Sequence, residues 1–236
     1  MSKFVRTESL IGKVKLEKLK KSHVMVFGVG GVGGYVVEAL ARSGVGMISI
    51  IDNDIVSESN INRQIIATTK TIGLAKVDVM KERILSINPE CEVHTYKQFV
   101  LTDNIDDFDF SSVSYVVDAV DTVTAKIAII EKAKKENVMV ISAMGAGNRI
   151  DPSQIKVVDI NQTKNCPLAK VMRYELRKRD IKNVKCVFST EEPIISKESH
   201  NFDEKDKKVI ASIAYMPSIF GLIMASEIIK DIIKNC

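Results

Sequence analysis

Apolar positions in this chain fall into two periods that take turns. The β-branched run Val24 to Phe27 ends in a cluster of glycines, and apolar residues from Tyr35 to Ala41 then recur at helical spacing. A second apolar run, Met47 to Ile51, closes on Asp52. Strand, turn, helix and strand make a β-α-β unit, which closes on a parallel sheet through a right-handed crossover. Asp54 to Thr71 stays polar and is too long for a plain connection, which marks it as a functional loop. Beyond it Val77, Met80, Ile84 and Ile87 share one helical face, and Asn88-Pro89 stops that helix. Val93 to Tyr96 and Tyr115 to Ala119 are predicted strands, Lys126 to Lys135 a helix, and Val138 to Ser142 the next strand.

The alternation changes after Gly145. Arg149-Ile150 and Ile155 to Ile160 flank the turn signal Asp151-Pro152-Ser153, which predicts an antiparallel extension. Leu168 to Lys178 is a basic amphipathic helix with Leu168, Val171, Met172 and Leu176 on its apolar side. Cys186 to Ser189 is a short strand, Thr190 to Lys208 a polar crossover expected to be mobile, and Pro217 opens a final helix that is apolar from Ile219 to Ile233. The expected architecture is an α/β fold: a Rossmann-like, mostly parallel sheet flanked by helices, with an antiparallel C-terminal extension. Residues 1–145 form the nucleotide-binding part and 146–236 a C-terminal elaboration of one domain.

Composition narrows the class without choosing a function. With 236 residues, 45% hydrophobic and 27% charged, the chain is neither disordered, collagen-like nor a coiled coil. A net charge of +4 permits a polyanionic partner but requires none. Cys91, Cys166, Cys186 and Cys236 form no C-x-x-C pair, and His23, His94 and His200 share no spacing, so no metal site is expected from them. Cys186, between apolar neighbours, is expected as a buried strand thiol rather than a nucleophile. Met1 to Lys13 has no signal-peptide run, and the late apolar stretch carries Glu227, Lys230 and Asp231. A reducing, cytoplasmic location is the expectation.

The chemistry starts at Gly28-Val29-Gly30-Gly31-Val32-Gly33, a G-x-G-x-x-G between predicted strand and helix, with Asp52 ending the next strand. Bare backbone there approaches phosphates, the helix N-terminus carries partial positive charge, and Asp52 can accept from ribose hydroxyls. That unit serves nicotinamide dinucleotides and ATP alike, so an oxidoreductase stays open at this point. Asp52-Asn53-Asp54-Ile55-Val56-Ser57-Glu58-Ser59-Asn60-Ile61-Asn62-Arg63-Gln64, then Gly73-Leu74-Ala75-Lys76, then Asp118-Ala119-Val120-Asp121, resembles the ATP-binding signature of the ubiquitin-activating superfamily. The resemblance implies that Arg63 and Lys76 bind the triphosphate and that Asp121 supports Mg2+. It also implies that Gly28, Gly30, Gly31, Gly33, Asp52, Asp54 and Asn60 line the ATP site, and that Arg6 reaches the phosphates of a neighbouring subunit.

Within that superfamily, Asn60-Ile61-Asn62-Arg63-Gln64, Ile87-Asn88-Pro89-Glu90-Cys91, Gly145-Ala146-Gly147, Ile150-Asp151-Pro152-Ser153-Gln154-Ile155 and Cys186-Val187-Phe188-Ser189-Thr190-Glu191 resemble the tRNA threonylcarbamoyladenosine dehydratases. The resemblance implies ATP-dependent activation of the threonyl carboxylate of the modified adenosine at tRNA position 37, followed by ring closure with loss of AMP. It further implies a homodimer, and it leaves sulfur-transfer protein partners open. The alternative is an adenylyltransferase for a ubiquitin-like sulfur carrier, but the paired C-x-x-C motifs seen in many of those are missing. A tRNA substrate needs cations, and Lys170, Arg173 and Arg177 share one helical face, with Lys178, Arg179, Lys182 and Lys185 close behind.

Overall fold

Strands that are buried on both faces read as unbroken apolar runs, and such runs make up the centre of a seven-stranded sheet. The computed structural model describes residues 2–194 and 210–234. Its strands are β1 (His23–Phe27), β2 (Met47–Ile51), β3 (Glu92–Tyr96), β4 (Tyr115–Asp118), β5 (Met139–Ala143), β6 (Ile155–Asp159) and β7 (Lys185–Ser189), in the order β3-β2-β1-β4-β5-β7-β6. All neighbours are parallel except β6 and β7. The chain winds outward from β1 in one direction and from β4 in the other, so the strand order reverses between them. In open α/β sheets that reversal opens a crevice at the carboxyl ends of the strands.

Seven helices flank the sheet among the described residues: α1 (Val5–Ile11), α2 (Lys13–Lys20), α3 (Gly33–Arg42), α4 (Lys76–Ile87), α5 (Val123–Lys135), α6 (Pro167–Lys178) and α7 (Tyr215–Ile233). Alternate residues of β1 feed two cores. Val24 and Val26 join α3, α4 and α7 on one face, and Met25 and Phe27 join α5 and α6 on the other. Helix α7 crosses α3 at backbone distance because Gly221 has no side chain; a Cβ there would lie 2.4 Å from the Val32 carbonyl oxygen. Where α4 meets α3, Arg83 and Arg42 grip the buried Glu38. Burial alone would raise that carboxyl's pKa, and the two guanidinium partners hold it below the ordinary value.

Some expectations need correction. Arg149-Ile150 is not a strand, and the antiparallel partner of β6 is β7. Asp151 accepts from the amide and hydroxyl of Ser153 and closes a one-turn 3-10 helix, while the amides of Ile150 and Asp151 donate to the Glu191 carboxylate at 3.2 and 3.0 Å. The amides of Ile150 and Asp151 are thereby taken from any hairpin ladder. Val171 is 45% exposed rather than buried. Helices α1 and α2 gave no apolar stripe to find: α1 buries nothing and α2 only Leu16 and Leu19. The crossover expected at Thr190 to Lys208 is described only to Ile194, and its remainder, with His200 and Cys236, lies outside the described residues. Its flanks meet at Asn148 (φ 58°), which accepts from Ile194 N and Ala211 N and donates to Ala211 O.

His23 is buried at the start of β1, with Nε2 2.8 Å from Ser49 Oγ. Burial pushes its pKa below the ordinary value, and His94 adds to the effect. The neutral ring therefore stabilises the fold fully above about pH 6.5, and that contribution is lost as pH falls from there through the folded pKa. Wild type should lose more Tm than His23→Gln between pH 7 and 5.5, which parallel thermal melts will show.

Candidate nucleotide-binding site

The four motif glycines do different jobs. Gly28 has φ +89°, and a Cβ on it would sit 2.7 Å from Ala119 O; one on Gly33 would sit 1.8 Å from Gly28 O. These two let the turn pack against the β4–α5 connection and enter α3. At Gly30 the nearest atom to a Cβ would be Gln64 Nε2 at 3.9 Å, so space is open there. At Gly31 the Cβ position faces Pro217 of α7 at 3.1 Å and Arg63 Cγ at 3.5 Å.

Asp52 joins this turn to the polar loop. Its Oδ2 accepts from Val29 N at 2.7 Å and its Oδ1 from Asp54 N at 2.9 Å. Each oxygen keeps a lone pair for a further donor, such as a ribose hydroxyl. The loop then folds back, with Ile55 bridged to Ala75 and Lys76 N donating to Asp54 O. This return places Lys76 at the first position of α4, its side chain 6% exposed and its Nζ 2.7 Å from Asp54 Oδ2. An ammonium at a helix N-terminus opposes the helix dipole, so its site must supply anions. Asp54 is the one that pairs with it, while Asp78, in the first turn of α4, pairs with Lys97.

Asn60 is buried in a capping box with Ser57, which shapes the turn that delivers Arg63. The Arg63 guanidinium donates to Ser59 O and Asn62 Oδ1, both at 2.9 Å, and has no acidic partner among the described residues. Gln64, singled out in the motif but not given a role from sequence, is buried beside Gly30 with Oε1 unpartnered. A buried amide oxygen without a donor is costly, and a ligand that brings a donor would relieve it.

Across the turn, Asp118 is structural. It is fully buried with Lys126, whose Nζ lies 3.0 Å away and also donates to Val120 O, and Ser142 Oγ donates to Asp118 Oδ2. Asp121 stands three residues further on, exposed, touching only Thr122 Oγ1 at 3.3 Å. No group of three His, Cys, Asp or Glu side chains is placed to hold a metal ion among the described residues, so Asp121 is a single carboxylate. Arg6 is not brought to this site by its own chain. Phe4 anchors α1 against Gly44, beyond the far end of α3, about 15 Å of helix away from the glycine turn.

On α6, Lys170 and Arg177 are exposed and unpaired among the described residues, whereas Arg173 is half-buried and donates to Thr163 O and Oγ1. Arg173 fastens the helix instead of facing solvent. The cations that follow are also engaged: Arg179 with Glu175, Lys182 with Asp180, and Lys185 with Glu227 and Asp231. Cys186 and Cys91 are buried thiols whose pKa values desolvation pushes up to about 12 and about 11, which leaves both unreactive near neutrality. A cleft of about 450 Å³ between β6, β7 and α7 lies at the opposite end of the sheet and holds none of the motif residues. No described helix is long and apolar enough to cross a membrane.

The glycine turn and the Asp52 carboxylate stand at the strand-order reversal, where α/β sheets of the nucleotide-binding class hold their ligands. The ThiF family model matches residues 4–235, and the chain belongs to that family. It is 44% identical to the tRNA threonylcarbamoyladenosine dehydratase of Bacillus subtilis, over 100% of this chain and 96% of that protein. The Escherichia coli protein of the same name is 43% identical over 80% of this chain and 74% of its own length. Among solved structures, the E. coli tRNA N6-threonylcarbamoyladenosine dehydratase in complex with ATP superimposes with a TM-score of 0.90 at 36% identity, covering 99% of this chain and 94% of that one.

Asp118→Ala should cost about 3–5 kcal/mol in denaturant unfolding, because it leaves the Lys126 ammonium buried and unpaired. A loss well under 1 kcal/mol would show that Asp118 is not holding the scaffold.

Proposed function

We propose that this chain is an ATP-dependent tRNA threonylcarbamoyladenosine dehydratase. It adenylates the threonyl carboxylate of N6-threonylcarbamoyladenosine at tRNA position 37 and promotes its cyclising dehydration, releasing pyrophosphate and AMP. The observation that carries this reading is Arg63 packed against the glycine turn, with Lys76 tied to that turn through Asp54 and Asp52, in a chain that matches a dehydratase of nearly its own length end to end.

A carboxylate that attacks the α-phosphate of ATP approaches an electrophile already surrounded by negative charge. One cation about 4 Å from a phosphate oxygen contributes on the order of 4 kcal/mol of gross attraction at an effective dielectric near 20, before desolvation reduces it. Arg63, with its fork free of carboxylates, suits two phosphate oxygens at once, and Lys76 acts as a point charge steadied by Asp54. Gly30 leaves room for phosphate against backbone, Asp52 takes the ribose, and Gln64 accepts a donor from the nucleotide. Mg2+ held by the phosphates with Asp121 beside it would neutralise further charge on the leaving pyrophosphate.

The carboxylate oxygen bonds to the α-phosphorus as the bond to pyrophosphate breaks. The ureido group of the same side chain then attacks the activated carbonyl, AMP leaves with the carboxylate oxygen, and a ring closes. Because that second nucleophile is tethered to the first, its effective concentration is about 10⁵ M or more, and no protein thiol relay is needed. The buried state of Cys91, Cys166 and Cys186 is consistent with that. Arg6, remote from its own site, serves the phosphates of a second copy in a homodimer, and sulfur-transfer proteins act as partners of a cytoplasmic enzyme.

With ATP and modified tRNA, wild type should release AMP while the nucleoside loses one water, as read by mass analysis of digested tRNA. Arg63→Ala, Lys76→Ala and Asp121→Ala should each release none while keeping a cooperative melt; normal turnover in all three would end this mechanism. Replacing Lys170 and Arg177 together with Ala should weaken tRNA binding and reduce its salt slope by about one for each phosphate no longer neutralised, leaving ATP affinity unchanged. An unaltered slope would remove RNA from that face.

A further inference from the structure

The outward side of α6 carries one aromatic ring amid cations, and nothing at the nucleotide site uses it. Lys170, Val171, Tyr174, Arg177 and Lys178 fall on one side of the helix at 100° per residue, and all are exposed. Tyr174 is 59% exposed. The Lys178 ammonium lies 4.3 Å from the centroid of its ring, so a cation covers part of the aromatic surface and the rest meets solvent. Glu175 is the one acid in α6; it sits at the margin of this side, its carboxylate engaged with Arg179 at 2.7 Å and Lys178 at 3.7 Å. The buried residues Ala169, Met172 and Leu176 face the core, so the exposed ring supports no packing.

The helix also points the right way. It begins at Cys166, beside Gly145 just past the carboxyl end of β5, and packs on α5, which opens two residues after Asp121. From that carboxyl edge its 12 residues run about 18 Å along the surface. Nucleotides flanking a nucleoside held at the crevice therefore lie within reach of it. A solitary exposed tyrosine is ordinary on a protein surface. An exposed ring beside two cations without ionic partners, Lys170 and Arg177, and a third, Lys178, that shares Glu175 with Arg179, combines a stacking surface with phosphate contacts, which is the chemistry of single-stranded RNA recognition.

We propose that Tyr174 stacks on an unpaired base next to the reacting nucleoside, while Lys170, Arg177 and Lys178 hold the adjoining phosphates. This rests on the dehydratase reading and names the surface by which that site takes its RNA. The test measures binding of the modified tRNA to wild type, Tyr174→Ala and Tyr174→Phe at fixed salt, with ATP affinity, oligomeric state and Tm followed in parallel. Tyr174→Ala should bind roughly five- to a hundredfold more weakly. It should raise KM for tRNA while leaving kcat, ATP affinity, Tm and the salt slope unchanged, and Tyr174→Phe should restore binding. Unchanged tRNA affinity in an active Tyr174→Ala enzyme would overturn the inference. So would a change of oligomeric state in that variant, which would make the face a protein contact. Wild type that fails to release AMP with modified tRNA would instead sink the parent reading, so the two failures are distinct.

Discussion

One carboxylate holds two loops together that would otherwise be independent. Asp52 leaves the end of β2 and accepts from Val29 in the glycine turn with one oxygen and from Asp54 in the following loop with the other. The turn fixes where the proposed phosphates would meet backbone, and Asp54 fixes where the Lys76 ammonium sits. Charge-assisted hydrogen bonds of this kind are about twice as strong as neutral ones. The distance between the turn and the lysine is thus set by two bonds to one side chain, itself fixed by the register of β2 against β1.

The charges of the molecule divide into two populations. Asp118 with Lys126, Glu38 with Arg83 and Arg42, and Arg173 with Thr163 satisfy one another internally and shape the scaffold. Arg63, Asp121, Lys170 and Arg177 lack ionic partners among the described residues and face solvent or the crevice. A preorganised frame of the first kind lets the second kind stay without ionic partners, the condition that the roles proposed for them require.

The parallel strands and helices α3 to α7 were legible in the sequence because each buries an apolar face, and burial forces a period on the chain. The glycine turn and Asp52 were legible because their chemistry depends on backbone geometry within a short segment. Helices α1 and α2 were not, since α1 buries no residue of its own. The partner of β6 was misjudged because Glu191, forty residues away from Ile150 and Asp151, takes the amides that a hairpin would need. Spacing placed Arg173 on the same arc as Lys170, but only the fold brings Thr163 beneath it. Gln64 draws its interest from a buried oxygen without a partner and Tyr174 from its exposure, properties that spacing does not encode.

The contact between Gly31 and Pro217 bears on how the enzyme is made. The glycine turn leaves the ribosome well before the helix that backs it, by roughly ten to forty seconds at ordinary elongation rates. Until α7 lays Met216, Phe220 and Met224 over α3, the nascent β-α-β unit presents Val36, Val37 and Leu40 to water. Assembly of the pocket is therefore a late event in biosynthesis, because its backing wall is among the last segments of the chain to be made.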